Sequence, residues 1–280
     1  MTLRYPVAGV ALNASGTVSM ELGGAQAGNM SISGEAEYTF ESIDEDHLKV
    51  VGRVVSVEAM TADGVMSSQF GDIPVESLIG ELGGQTSYWV VDLKGEDDDE
   101  MSEALPENIA KAAEAKKRSE AAKAGAEETE GEAPAASKEV ILGAIGDQFL
   151  SLARPPEFPL PSLIFGDPTK TMTEEKDIKL FGQEIPMEFE KSYSLTSPSG
   201  EGDEASASLA IEVVASGAKE VSQGGQSTFV AVDQEVSGTV EVSTSKGVPR
   251  ASKLDILMTI TFGEMVIEQN IAMDLQYSEI

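Results

Sequence analysis

The sequence contains no cysteine, and this absence excludes several kinds of site. Disulfide bonds, thiolate metal sites and a thiol nucleophile cannot form, and the chain has no N-terminal cysteine to carry a lipid anchor. Function must therefore depend on other side chains.

Histidine occurs only once, as His47. A His-based catalytic triad would depend on this one residue, and a metal site with two histidines is excluded. The acidic residues 44–46 precede His47 at a predicted hairpin, so it could form a carboxylate–histidine dyad or lie solvated in the turn. We favour the solvated turn histidine.

Basic residues are scarce: the sequence has 19 Lys and Arg but 49 Asp and Glu. The net charge is therefore -30. The resulting negative field repels phosphate backbones and anionic lipid surfaces, which disfavours nucleic-acid binding. Plain solubility, including in a saline habitat, explains such a charge more simply than a specific cation site does.

Long apolar runs are also missing. Nothing approaches the roughly 18 apolar residues of a membrane-spanning helix, and the apolar stretch in residues 1–16 is too broken for a signal-peptide core. These observations predict either a cytoplasmic protein or a chain without its targeting segment. Aromatic residues make up only 5% of the sequence, so aliphatic residues and methionine must fill the core.

The composition divides the chain into three parts. Residues 1–95 form an N-terminal antiparallel β half with a short helix, and residues 139–280 form a C-terminal helix followed by an antiparallel β half. Between them, residues 96–138 are an acidic linker rich in Ala, Glu and Lys. Its middle is predicted as an exposed helix with Pro106 in the first turn, and residues 125–137 as disordered.

Period-2 patterns predict the strands of both halves. In the N-terminal half they lie at 17–22, 35–42, 48–60, 65–70 and 86–93. In the C-terminal half they lie at 169–180, 184–196, 205–214, 226–232, 237–243, 254–262 and 265–277. The last two strands alternate most regularly and predict a half-buried antiparallel hairpin around a turn at residues 263–264.

Period-3.6 patterns predict one amphipathic helix for each half. The first begins near Pro74 and carries Val75, Leu78, Ile79 and Leu82. The second spans residues 138–153 and has one apolar face with Ile141, Ala144, Ile145, Gln148, Phe149 and Leu152. Prolines at 155–161 then predict an extended segment. Each half is therefore a curved meander with a helical cover, and we interpret the halves as diverged repeats.

Three short motifs have simpler explanations than catalysis or ligand binding. The acidic run 97–100 could collect Ca²⁺ loosely but lacks the alternating ligands and glycine of a calcium loop. The Ser-Thr-Ser-Lys motif at 243–246 lies at a predicted strand end instead of opening a helix, as a Ser-Lys nucleophile site requires. The glycine-rich residues 23–28 have no lysine and no following core helix for a phosphate.

Two kinds of apolar residue could contact a ligand. Trp89 could form the floor of a binding site, although a lone strand tryptophan is more often part of the core. Methionines on apolar faces could adapt to a variable ligand or simply fill the core. They include Met187, Met258, Met265 and Met273.

The order of these features resembles a known group of proteins. The resemblance rests on residues 38–64, on the Gly-Asp-Gln-Phe-Leu helix at 146–150 with its following prolines and residues 165–167, and on the final hairpin. These features resemble uncharacterised bacterial envelope proteins and lipoproteins of half-barrel shape, which are distantly similar to lipoprotein carriers of the Lol type. In such carriers a curved antiparallel sheet and helices enclose an apolar cavity for acyl chains. The resemblance implies a location in the periplasm or cell envelope.

We therefore predict a mainly β protein with two antiparallel meander or half-barrel repeats and amphipathic helices over their apolar face. Its predicted function is non-enzymatic binding of a lipid or another apolar ligand in the envelope. The alternative is an acidic structural or scaffold protein without a cavity, whose linker contacts a basic partner. No catalytic, cofactor-binding or metal-binding residue and no cofactor are predicted, because an enzyme would need paired carboxylates and no pair stands out.

Overall fold

The computed structural model describes residues 8–24, 27–68, 70, 73–92, 98–126, 138–155, 169–180, 183–196, 199–200, 205–223 and 226–280. The predictions for residues 127–137, for the prolines beyond Pro155 and for residues 165–167 lie outside the described residues. Among the described helices, none combines the length and apolar character needed to cross a bilayer.

The described strands belong to one antiparallel sheet. In chain order they are β1 (Ala11–Gly24), β2 (Gly28–Ser42), β3 (His47–Asp63), β4 (Thr86–Asp92), β5 (Thr169–Leu180), β6 (Gln183–Leu195), β7 (Ser206–Gln223), β8 (Gln226–Ser243), β9 (Pro249–Phe262) and β10 (Met265–Glu279). The described helices are α1 (Gly64–Ser68), α2 (Val75–Leu82), α3 (Asp99–Ala104), α4 (Pro106–Ala126) and α5 (Lys138–Ala153). The prediction of a mainly β, antiparallel protein is confirmed.

The sheet is open, with spatial order β4-β3-β2-β1-β10-β9-β8-β7-β6-β5. Neighbouring strands in the sheet are neighbours in sequence except at the centre, where β1 pairs with β10 from Leu12–Glu279 to Gly24–Ile267. The strands before and after the predicted linker therefore share one hydrogen-bonded ladder. β4 and β5 form the two edges.

The final hairpin has the predicted alternation. Met265 pairs with Phe262 beside the predicted turn, and the ladder continues to Gln276 and Ala251. Buried residues recur at every second position of β10, as Ile271, Met273, Leu275 and Tyr277. We name the side of the sheet that carries these buried residues the inner face.

One predicted strand is wrong. Residues 65–70 were expected to be extended, but residues 64–68 form α1, in which Met66 is buried. The chain turns because Gly64 has φ 58°, a left-handed conformation that side chains disfavour. The N–H of Val65 then donates to the carbonyl of Ala27 at 3.0 Å instead of continuing the β3 ladder.

The strands of the C-terminal half are longer than predicted. β7 continues to Gln223, and β8 joins the two predicted segments 226–232 and 237–243. The pattern is interrupted at residues 233–236, which are mostly polar, yet the ladder runs through them from Asp233–Ser216 to Val236–Val213. Pairing on both sides outweighs the weak strand preference of this segment.

Gly16 lies where two strands approach closely. A Cβ atom at this position would be 2.1 Å from the carbonyl oxygen of Asp274 on β10, and the φ of Gly16 is 149°. Only glycine occupies this backbone region without strain. The central β1–β10 ladder therefore depends on a residue that no apolar pattern would single out.

α2 and α5 have the predicted bounds, but the buried face of α5 differs from the prediction. The buried residues of α5 are Ile141, Leu142, Ile145, Gly146, Phe149, Leu150 and Ala153, whereas Ala144 is exposed. The reason is that α5 contacts α2 and β4 in addition to the central strands, so two adjacent stripes of the helix are buried. The predicted single stripe accounts for only part of this contact.

Residues 98–100 of the acidic run begin a helix that joins the edge of the sheet. The side chain of Asp98 accepts a hydrogen bond from the N–H of Met101 at 2.8 Å and so caps α3. The N–H of Asp98 donates to the carbonyl of Val90 at 2.9 Å, and the N–H of Val90 donates to Ser102 Oγ at 2.7 Å. The edge strand β4 thus finds hydrogen-bond partners outside the sheet.

The first turns of α4 continue this arrangement. Asn108 Nδ2 donates to the carbonyl of Tyr88 at 3.0 Å and to that of Ser102 at 2.7 Å. Lys111 Nζ bonds the carbonyl of Thr86. We name residues 98–111 the edge cap, because they satisfy backbone groups that an edge strand otherwise offers to other chains. The predicted helix with Pro106 in its first turn is confirmed.

Candidate functional site

The inner face of the N-terminal strands packs against α5. α5 contacts β1, β2, β3, β4 and β10, and Phe149 and Leu150 are buried in the same apolar cluster as Tyr38 and Val50. Tyr38 lies fully buried on β2, where its ring suits the apolar face but its hydroxyl needs a partner. The hydroxyl donates to the carbonyl of Leu150 at 2.7 Å, so one hydrogen bond fixes the helix to the sheet.

Methionines take part in this helix–sheet cluster. Five of them are buried: Met20, Met30, Met60, Met66 and Met273. Met20 and Met30 lie directly opposite each other on β1 and β2. The amide nitrogens of Gln269 and Gln148 lie 3.2 and 3.5 Å from the sulfur of Met20. Unbranched thioether side chains adapt to different neighbours more easily than branched aliphatic ones do.

The four methionines named from the sequence have different surroundings. Met187 and Met273 are buried, and Met258 is half-buried beside the second apolar cluster. Met265 shares the alternation of the inner face but is 39% exposed at the β9–β10 turn, so it does not belong to the core. The alternation of apolar residues continues on both sides of the turn, so it does not show at which residue the buried part of each strand ends.

A second apolar cluster lies at the far end of the C-terminal strands. It contains Ile185, Met187, Ala215, Val221, Val230 and Val232. On β6, Lys191 lies between Tyr193 of the first cluster and Phe189 beside the second. Lys191 Nζ is 2.6 Å from Glu174 Oε2 and 5.7 Å from the centre of the Phe189 ring. A half-buried ion pair therefore interrupts the apolar inner face.

Two grooves lie in the described part of the chain. One, of about 480 Å³, lies at β5, β6 and β7 and is lined by residues that include Glu175, Asp177, Glu188 and Lys176. The other, of about 250 Å³, lies at the central strands and is lined by Met20, Met30 and Ala272 together with polar side chains. The first groove lacks the apolar lining expected for an acyl chain. The second borders two methionines of the inner face, so the inner face beneath α5 is the stronger candidate for apolar binding.

His47 lies at the start of β3 and is half-buried, with 26% of its side chain exposed. Its Nδ1 is 2.9 Å from Asp44 Oδ1, and its Nε2 is 3.8 Å from Asp98 Oδ2. The hydrogen bond with Asp44 raises the pKa of His47. Hydrogen bonds from the N–H of Asp46 and from His47 lower the pKa of Asp44. Because Asp98 begins α3, protonated His47 links the β2–β3 turn to the edge cap.

A second charged pair also joins the edge cap to the sheet. Lys49 Nζ bonds Glu107, which raises the pKa of Lys49 and lowers that of Glu107. The Nζ atoms of Lys49 and Lys111 lie 5.3 and 5.8 Å from the centre of the Tyr88 ring. Two cations beside one aromatic ring favour the docked position of α4.

The motifs that the sequence offered for metal or nucleophile chemistry have structural partners. Asp98 caps α3, and the described residues contain no group of three or more acidic or histidine side chains that could hold a metal ion. Ser243 Oγ lies 3.2 Å from Ser245 Oγ, while Lys246 Nζ bonds Glu279. Lys246 is thus paired with a carboxylate and is not placed to activate a serine.

Trp89 and the glycine-rich segment are part of the sheet. Trp89 is half-buried against the first apolar cluster, with the guanidinium of Arg154 5.4 Å from its ring centre. Gly23 and Gly24 end β1 and Gly28 begins β2, while residues 25 and 26 lie outside the described part. Sequence reasoning missed the edge cap, since isolated Ser and Asn residues such as Ser102 and Asn108 carry no distinctive signal.

The chain matches no family model, no curated protein and no solved structure.

Proposed function

We propose that this protein is a non-enzymatic, envelope-associated binding protein that holds an acyl chain or another apolar ligand between α5 and the inner face of the sheet. The observation that supports this function is the group of five buried methionines in the apolar cluster that α5 shares with the sheet. A layer of branched residues would favour one fixed packing, whereas methionines accommodate several.

The energetics are compatible with a ligand that inserts between helix and sheet. Each buried CH₂ group contributes about 0.8 kcal/mol, so ten carbons of an acyl chain contribute at most about 8 kcal/mol. This sum must exceed the loss of direct contacts between α5 and the strands. The Tyr38–Leu150 hydrogen bond would keep one end of the helix in place while the methionines repack.

The proposal also includes the half-barrel repeats, the helical cover and the distant family relationship that the sequence predicted. Each end of the sheet would act as a half-barrel repeat, with α5 as the cover of the first. The distant relationship to lipoprotein carriers of the Lol type would account for an envelope location and a lipid ligand. The repeats, the family relationship, the envelope location and the lipid ligand remain predictions.

A disulfide that locks α5 onto the sheet tests the proposal, since the chain has no cysteine of its own. A Cβ atom at Gly146 would lie 2.9 Å from the Cβ of Gln85, so a small shift allows a Gln85→Cys, Gly146→Cys bridge. Palmitate binding is followed by the fluorescence of Trp89, the only tryptophan, which packs against this cluster. Native mass spectrometry of the purified chain identifies any bound lipid.

The wild type and the reduced double variant are expected to bind palmitate, and the oxidised variant is expected to lose most of this binding. The reduced variant is the matched control because it differs from the oxidised one by a single bond. Equal binding by the oxidised variant, or no apolar ligand bound by the wild type, would contradict the proposal.

A second candidate function is that of an acidic scaffold. The outer face of β6–β9 supports it, because this face carries the exposed carboxylates of Glu188, Glu190, Glu212, Asp233, Glu235 and Asp255. Such a surface attracts a basic polypeptide, and the attraction falls as salt is raised. Binding of polylysine at low salt that is abolished by glutamine at 190, 212 and 235 would support the scaffold function. Unchanged binding would refute it.

A further inference from the structure

The two edges of the sheet differ. The edge cap supplies hydrogen-bond partners to β4, whereas β5 pairs only with β6 in the part of the chain that the structure describes. β5 is also long, from Thr169 to Leu180. A long open edge strand is a template for pairing with another strand.

The side chains of β5 have a pattern that complements itself. Met172, Glu174, Lys176 and Ile178 share the inner face, because they pair with Lys191, Phe189, Met187 and Ile185 on β6. In an antiparallel pair of two β5 strands centred on Glu175, Glu174 lies opposite Lys176 of the second copy. Met172 then lies opposite Ile178, and two-fold symmetry produces each of these pairs twice.

The neighbouring registers lack this complementarity. Like charges directly opposite each other destabilise a strand pair. Centring the pair on Glu174 would place two glutamates opposite each other with no opposite-charge pair beside them. Centring it on Lys176 would place two lysines together and Glu175 opposite Asp177 twice. The register centred on Glu175 has one like-charge pair, between the exposed copies of Glu175, and two Glu174–Lys176 pairs that offset it.

We propose that two copies of this chain associate through antiparallel pairing of their β5 strands in the register centred on Glu175. The pairing joins the two sheets into one continuous sheet. Because the edge cap covers the other edge of each copy, the assembly stops at a dimer and does not extend into a fibre. The occupant of the open edge is thus a second copy of this chain.

Charge reversal tests the register. In Glu174→Lys both residues of the pair are lysine, and in Lys176→Glu both are glutamate, so each variant is expected to dimerise about tenfold more weakly or worse. An equimolar mixture of the two variants restores opposite charges at both positions and is expected to form a heterodimer. The double variant is expected to form a homodimer again. Sedimentation velocity measures all four samples.

Lys176→Glu is the cleaner single variant, since Glu174 also pairs with Lys191 within one chain. The wild-type dimer is expected to strengthen as salt is raised from low values, because each copy carries a net charge of -30 and long-range repulsion is screened first. A wild type that stays monomeric at every salt concentration would overturn the proposal. A dimer that both single variants leave intact would overturn it as well.

A cysteine scan provides an independent test in this cysteine-free chain. Glu175→Cys is expected to form a disulfide-linked dimer on mild oxidation, since position 175 faces its own copy. Thr171→Cys is the matched control, because position 171 faces position 179 of the second copy and should not cross-link to itself. Equal cross-linking of the two variants, or none at position 175, would refute the register.

Discussion

Replacing Asn108 with alanine is expected to loosen the edge cap without disturbing the rest of the sheet. The amide of Asn108 donates to the carbonyls of Tyr88 and Ser102, at 3.0 and 2.7 Å. Each bond contributes a net free energy of about 1 kcal/mol, so the variant should favour opening of the cap by about 2 kcal/mol. This change corresponds to about a 30-fold larger population of the open form.

Hydrogen exchange at Val90 measures this opening directly. The N–H of Val90 donates to Ser102 Oγ, so it exchanges with solvent when the cap lifts. In Asn108→Ala its protection factor is expected to fall about 30-fold, while that of Val50 in the sheet interior stays the same. Lys116→Ala, an exposed substitution farther along α4, is the control. Unchanged protection of Val90, or an equal loss in the control, would refute a capping role for Asn108.

Three further predictions concern stability. Leu150→Ala removes a fully buried side chain and is expected to cost about 3 kcal/mol of unfolding free energy in urea, whereas Val140→Ala on the exposed side of α5 should change it by less than about 0.5 kcal/mol. Gly16→Ala places a Cβ against a backbone carbonyl and should cost about 3 kcal/mol, measured by thermal unfolding. The hydrogen bond with Asp44 raises the pKa of His47, so its stabilising contribution is complete below the ordinary pKa and is lost as pH rises through the raised one. Comparing the wild type with His47→Gln at about pH 5 and about pH 9 should show a difference in stability only at the lower pH.

The sequence predicted the elements whose patterns are local. The final hairpin follows from strict alternation, and α2 follows from Pro74, its apolar spacing and the glycines after it. The bounds of α5 followed in the same way, but its buried face did not, because that face depends on the nearby α2 and β4. Local patterns therefore predict where an element lies better than what it contacts.

The sequence patterns did not predict which strands pair when they lie far apart in the chain. Nothing in the apolar alternation of β1 and β10 specifies that they pair with each other, although this ladder unites the sheet. The same limit applied to the edge cap, whose Ser102 and Asn108 are common polar residues with no special spacing. Among the candidate site residues, Trp89 lies on a strand as predicted, half-buried against the first apolar cluster. The group of five buried methionines became visible only in the fold, because its members come from separate elements.

The β1–β10 ladder also determines the order of events during synthesis of the chain. Roughly 240 residues separate the end of β1 from the start of β10. At about 5 to 20 residues per second, a ribosome needs about 12 to 50 seconds to add them. Throughout that interval one edge of β1 lacks its partner strand β10. Nascent molecules therefore expose unpaired backbone groups that are hydrogen-bonded in the folded protein. Chaperones that shield strand edges should therefore matter most between the emergence of β1 and that of β10.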